Sequence, residues 1–363
     1  MTTFCGCVKG YSLINIVNGT YGAITTPFQQ YISVPITPSI QNMISDIRQI
    51  NFQDGNGNII PAWLESVSGT LWASASVSAV NYWLKLTSPA TISAGATVTV
   101  YMCFNSINVM DGIITGCAPQ LTSTYAQYDN GTNVFSLYAN GNTPISDFTV
   151  TSGFTLTQAT GVAYGSTTIN ALKLTGYSSS AGINFYLNTG SLSASQSWIA
   201  EGNGQWYTSS QSGDTDIVSL IQSPSSSANA IAVGGIPSWG EVYFEQEYMT
   251  AGSYTHDVNP QGSGGQSWVY GSLTYIAGST TYSGYTAPQL YSTSGGYSGT
   301  TTNPISSTGG AIYLGVIGDQ ISGYPANAYW NFIRVRAYPP NNIMPTTQIN
   351  ITLPTLTQLP PMF

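Results

Sequence analysis

The chain has 363 residues and a formal net charge of −8; 42% of it is hydrophobic, only 6% is charged, and it holds a single histidine. An average soluble domain carries about 25% charged residues, so this surface is built mainly from Ser, Thr, Asn, Gln and Tyr and has few ion pairs to lose on acidification. The six basic residues (Lys9, Arg48, Lys85, Lys173, Arg334, Arg336) are scattered, which excludes a phosphate-neutralising nucleic-acid partner, and the hydrophobic content excludes disorder.

At the start of the chain, Met1 to Lys9 lacks the basic cluster and apolar stretch of a secretory signal. The expectation is either a leader already removed, as in a processed cell-surface protein, or a chain made in the cytosol that leaves by another route, such as assembly into a virus particle. No apolar run reaches the roughly 18 residues of a membrane-spanning helix, so no membrane span is expected. The cysteines Cys5, Cys7, Cys103 and Cys117 allow three pairings. Cys103 and Cys117 flank the loop-like stretch 105–116 and are placed to close it as a disulfide, with free buried thiols as the alternative. Cys5 and Cys7 diverge too far in an extended chain to bond each other, and no spacing fits a zinc site. Asn18, Asn130 and Asn350 each begin a glycosylation sequon.

Helical periodicity is nearly absent. Gly, Pro, Ser and Thr punctuate the chain about every eight to twelve residues, the spacing of an all-β sandwich or barrel. Taken in chain order, the runs that read as strands are 28–36, 82–86, 96–104, 171–174, 182–187, 241–249, 311–317 and 330–338. β-Branched and aromatic residues dominate them, as half-buried pleated surfaces favour. A first domain is expected over 1–130 and a second over 131–340. Within the second, 251–310 is rich in Gly, Ser and Thr, but its regular Tyr and Trp residues argue for packed hairpins rather than a linker. Pro339-Pro340 then breaks the pattern, and 341–363 reads as an extended tail. There Ile349, Ile351 and Leu353 alternate onto one face, as in a strand added to a neighbouring subunit's sheet or paired as an edge strand within its own chain.

The first domain resembles a family of mostly archaeal and bacterial surface modules known as a domain of unknown function. The resemblance rests on Ser45-Asp46-Ile47-Arg48, Asp54-Gly55, Pro61-Ala62-Trp63-Leu64-Glu65-Ser66, Tyr82-Trp83-Leu84-Lys85-Leu86, Ile92-Ser93-Ala94-Gly95 and Tyr101-Met102-Cys103-Phe104-Asn105, in order over about residues 25–135. It departs at Cys103-Phe104, where the family favours Tyr-Gly. The resemblance implies a β-sandwich on a surface and no chemistry. Trp330-Asn331-Phe332-Ile333-Arg334-Val335-Arg336-Ala337-Tyr338 is similar to the final strand of concanavalin-like, or laminin-G-like, jelly rolls, which implies that fold for the second domain.

Within it, Gly240-Glu241-Val242-Tyr243-Phe244-Glu245-Gln246-Glu247 resembles the catalytic strand of laminarinase-type glycoside hydrolases. That resemblance implies Glu241 as nucleophile and Glu245 as acid/base, provided the two carboxyls sit about 5–5.5 Å apart across the scissile bond. Tyr243 stands where those enzymes place an orienting Asp, which argues against hydrolysis. His256 beside Asp257 lacks a nucleophile elbow and reads as a solvated loop residue. Asp214-Thr215-Asp216 has too few further acids for calcium and reads as an exposed turn, so no metal is expected. For glycan binding, Trp206, Tyr207, Trp239, Tyr243, Trp268 and Tyr270 offer flat aromatic faces, each of them individually also a candidate for the core.

These readings predict an all-β chain of two β-sandwich domains, the second a concanavalin-like jelly roll. They predict a non-enzymatic structural or adhesive protein, extracellular on a virion or cell-surface appendage of a thermoacidophilic archaeal system. Its expected partners are copies of itself or other surface structural proteins, together with glycans; no cofactor is expected. A carbohydrate-binding module or a glycoside hydrolase is the alternative.

Overall fold

A computed structural model describes the backbone of residues 7, 9–45, 47–69, 77–104, 131–165, 167–177, 181–206, 215–235, 237–238, 241–242, 244–261, 268–287, 297–318 and 326–351. The fold is all-β, with sheets stacked as a sandwich in each of two compact units. The first unit draws on described residues up to Phe135 and again from Pro339, and the second spans Ser136–Tyr338.

In the first unit one sheet runs in the order Thr346–Asn350, Gly10–Val17, Thr97–Phe104, Ile50–Gln53, and the other in the order Phe28–Pro35, Val77–Leu86, Ala62–Gly69. Strict alternation in Gly10–Val17 buries Ser12, Ile14 and Ile16 and leaves the residues between them half-exposed, the period-2 pattern of a one-sided strand. The two sheets meet where Phe52 stands edge-on to Tyr82, with ring centroids 5.0 Å apart. The expected tail strand does form, but it pairs antiparallel with Gly10–Val17 of its own chain, with Ile349 opposite Ile14 and Thr346 opposite Val17. The donated-strand alternative therefore gives way to an intrachain edge strand. Ile349 and Ile351 are half-buried there, and Leu353 lies outside the described residues.

The disulfide expectation is corrected in the same sheet. Cys103 bonds Cys7, 96 residues away in sequence, and not Cys117, which lies outside the described residues. The reason is register: Gly10 pairs with Phe104, and Lys9 donates its N–H to the Phe104 carbonyl at 2.9 Å. That pairing brings the Cα atoms of Cys7 and Cys103 to 4.5 Å, within the span a disulfide bridges.

The second unit is built from two long antiparallel sheets. The first runs Phe148–Val150, Gly182–Leu187, Ala311–Gly318, Thr215–Gln222, Asn229–Gly235, Phe244–Thr250, Ser253–Gln261. The second runs Phe154–Tyr164, Thr167–Gly176, Ala326–Ala337, Trp198–Trp206, Val269–Tyr275, Thr281–Ala287, Tyr297–Thr302. The last two long strands return to interior positions, Ala311–Gly318 in one sheet and Ala326–Ala337 in the other. This winding of one chain between two sheets is that of a jelly roll. Leu220, Ile231, Val233, Leu314 and Val316 of the first sheet meet Ala200, Leu273, Ile333 and Val335 of the second in one core. The sheets approach closely at Ile217, because Gly202 and its cross-strand partner Gly271 face it; a Cβ on either would come within 2.8 or 3.0 Å of Ile217. Trp330 bridges the same gap, donating its indole N–H to the Ile217 carbonyl at 2.9 Å and packing edge-on against Phe185.

Candidate functional site

The first sheet of the second unit is apolar on both faces at its centre. Thr215–Gln222 is buried along its whole length, so Leu220 faces the partner sheet while Ile221 joins Ala228, Ala230, Ala232, Met249 and Ile317 in a second cluster on the opposite face. Strands covered on both sides read as continuous hydrophobic runs, which explains why the sequence shows no clear alternation here.

On that opposite face the register aligns acids. Asp216 lies opposite Gly234, Ala232 opposite Glu247, and Glu247 opposite His256. Asp216 and Glu247 both have zero exposure. Asp216 fits because Gly234 has no side chain: a Cβ there would stand 2.5 Å from its Oδ1. The Tyr254 hydroxyl donates to Glu247 Oε2. From the second sheet, Tyr282 reaches across to share its hydroxyl between the carbonyls of Ala232 (2.6 Å) and Glu247 (2.8 Å). Burial, then the negative charges of Asp216 and Glu247, push the Tyr282 phenol well above its usual 10.0, which keeps it a neutral donor. The reading of Asp216 as part of an exposed turn is thereby corrected: it is a buried strand residue. Asp214 lies outside the described residues, as do Tyr207, Trp239, Tyr243 and Asn130.

The strand expected over 241–249 is divided in two. Glu241–Val242 pairs with Pro237–Ser238 in a two-stranded ribbon, whereas Phe244–Thr250 belongs to the main sheet and places Glu245 opposite Gly234. The backbone thus puts Glu241 and Glu245 in different sheets, and their side chains lie outside the described part, as does that of His256. Among the described residues, no three His, Cys, Asp or Glu residues are grouped to hold a metal ion.

Of the aromatic set, Trp206, Trp268 and Tyr270 lie among the described residues. Trp206 ends a strand of the second sheet, its backbone opposite Ala328, with no described side chain. Trp268 is half-buried; its indole donates to the Ala163 carbonyl at 2.8 Å and its ring stands edge-on to Tyr164. Tyr270 is only 3% exposed and is a core residue, not a sugar platform. The sequon at Asn18 is likewise corrected. Its amide is buried and donates to the carbonyls of Gly22, Ile92 and Ser93 at 2.9–3.0 Å, leaving no nitrogen for a glycan. Asn350 is exposed at the end of its strand.

What occupies Tyr270 is a cluster that the sequence reading missed. Glu201 and Arg334 pair across neighbouring strands of the second sheet, both with zero exposure. Arg334 Nε meets Glu201 Oε2 at 2.7 Å, and Arg336 Nε meets Oε1 at 2.9 Å. The Arg334 guanidinium also sits over the Phe332 ring, 4.7 Å from its centre. The signal was present in Arg334-Val335-Arg336, since cations two residues apart on a strand share a face. Burial alone would raise the Glu201 pKa. The charges of Arg336 and Arg334 and hydrogen bonds from Tyr270 and Arg334 outweigh it, holding the carboxyl at about 2 against its usual 4.5. A depressed folded pKa stabilises the fold above pH 4.5, and that contribution fades as the pH falls toward 2. The expected result is that urea unfolding separates wild type from Glu201→Gln by an amount that is steady near neutrality and shrinks by about 3 kcal/mol between those two pH values. A difference that stays constant with pH removes Glu201 from the account of acid behaviour.

The chain is 36% identical over 344 residues to uncharacterized protein 562 of Sulfolobus islandicus rod-shaped virus 1, covering 92% of this chain. The chain spans 58% of that relative's length. No protein-family model matches. Among solved structures, lectin I of Ulex europaeus in complex with the methyl glycoside of α-L-fucose is similar at TM-score 0.34 and 12% identity, over 55% of this chain and 96% of the lectin. Xylan β-1,4-xylosidase of Bacillus halodurans C-125 is similar at TM-score 0.35 and 13% identity, over 46% of this chain and 32% of the enzyme. No residue role is carried over from likenesses of this size. Among the described residues no helix is long and apolar enough to cross a membrane. By sequence, then, the chain is similar along nearly its whole length to a protein of an archaeal rod-shaped virus.

Proposed function

We propose that the chain is a non-enzymatic structural or adhesive protein, displayed on a virion or on a cell-surface appendage of a thermoacidophilic archaeal system. There it meets copies of itself or other surface proteins, and glycans. The observation that carries this reading is the burial of four of its scarce charged residues among those described. Asp216, Glu247, Glu201 and Arg334 are all fully buried, inaccessible to a substrate, while neutral hydroxyl and amide side chains far outnumber charged ones in the sequence. The similarity to a viral protein supports the viral setting.

Immunogold electron microscopy of purified particles and of infected cells tests the proposal. Gold on the particle or appendage exterior is the expected result; gold confined to the cell interior overturns it. The hydrolase alternative is tested on the same purified protein with a panel of glycans. Cleavage that disappears in Glu241→Gln replaces the structural reading with an enzymatic one.

A further inference from the structure

Six residues along the strand from Asp216, at Gln222, the outer face of the first sheet opens into a groove of about 570 Å³. It is lined by Tyr186, Asn188, Ser223, Pro224, Ser225 and Tyr313. The two tyrosines come from neighbouring strands, with ring centroids 5.5 Å apart and planes crossed at 70°. Both are half-buried, so each ring is held while part of its surface stays open. Gly315 lies opposite Tyr186, two residues along the strand from Tyr313 and on the same face. A Cβ there would come within 2.4 Å of the Phe185 carbonyl oxygen, 2.8 Å of Ile221 and 2.9 Å of the Tyr186 Cβ, so no side chain fits beside Tyr186 without displacing its strand.

The rim is built, not loose. The buried Gln222 amide donates to the carbonyls of Ser306 and Gly309, and its Oε1 accepts from the Ser306 N–H at 2.9 Å. Ser223 holds a positive φ of 50° and bonds the Ala311 carbonyl through its N–H at 3.1 Å. Asn188 is anchored by its N–H to the Asp147 carbonyl at 2.8 Å, and its exposed side-chain amide is held by long contacts from Nδ2 to the Ser146 carbonyl and Thr149 Oγ1, both 3.4 Å, with Oδ1 as the acceptor it offers. The side chains of Ser223 and Ser225 are exposed beside it.

We propose that this groove binds a neutral pyranose. The C–H face of the sugar stacks on the open tyrosine surface, while its hydroxyls bond Asn188, Ser223 and Ser225. Among the described residues no charged side chain lines the groove, so a phosphate, carboxylate or cationic ligand finds no counter-charge there. Two aromatic walls with a few fixed neutral donors and acceptors match the apolar faces and hydroxyl rim of a sugar ring. The site is separate from the aromatic set expected from sequence, and it does not depend on the virion reading.

Saturation-transfer NMR with maltotriose, mannotriose, lactose and N,N′-diacetylchitobiose tests it. At least one is expected to receive transfer at its ring C–H protons, with affinity about tenfold weaker in Tyr313→Ala. Ser225→Trp, at an exposed position, fills the groove without touching the core and is expected to abolish the signal, whereas Lys173→Ala on the other sheet leaves it intact. Absence of transfer from all four sugars, or transfer unchanged in Ser225→Trp, overturns the proposal. Should Tyr313→Ala fail to fold, Ser225→Trp decides.

Discussion

Arg334→Met is expected to lower the unfolding free energy by about 3–5 kcal/mol, the cost of leaving a buried charge without its partner. Arg334 and Glu201 are both wholly buried, and the second cation, Arg336, keeps 11% of its side chain exposed and so compensates only in part. Denaturant unfolding at neutral pH measures the loss. The double variant Arg334→Met with Glu201→Gln is expected to lose less than the sum of the two single changes, because each partner's removal relieves the other's desolvation. Additive losses would mean that the pair does not act as a unit.

Trp330→Ala is expected to cost a similar amount, about 3–5 kcal/mol, by opening a cavity that the surrounding sheets close only in part. Trp330 is 1% exposed and links the second sheet to Ile217 and Phe185 of the first. Trp330→Phe retains most of the packing and forfeits the indole hydrogen bond, so a smaller loss of about 1–2 kcal/mol is expected. Thermal or urea unfolding followed by Tyr and Trp fluorescence separates the two variants; equal losses would assign the whole effect to the hydrogen bond.

Individual strands were legible because local alternation is a property of neighbouring residues. Runs 28–36 and 96–104 were found as Phe28–Pro35 and Thr97–Phe104. The break within 241–249 was not legible, since all its residues suit a strand and only long-range pairing assigns them to different sheets. Pairing partners were hidden for the same reason. Cys103 was matched to the cysteine nearest in sequence beyond it, whereas cross-strand register chose Cys7. Tyr270 looked like a sugar platform because its composition suits one, and nothing local reveals that Glu201 and Arg334 enclose it. Tyr186 and Tyr313 stand more than a hundred residues apart, and only the sheet makes them neighbours.

The pairing of Thr346–Asn350 with Gly10–Val17 has a consequence for biogenesis. Ser136–Tyr338 contains all the strands of its own jelly roll and emerges from the ribosome before residue 346. It is therefore able to reach its native state while the sheet that precedes it still lacks a member, as domains generally fold as units during synthesis. Closing a contact between residues more than three hundred positions apart costs an unstructured chain loop entropy that grows with the logarithm of the loop length. A folded intervening body removes most of that search. Nascent chains arrested before the last strand should thus show a protease-resistant middle and a susceptible beginning.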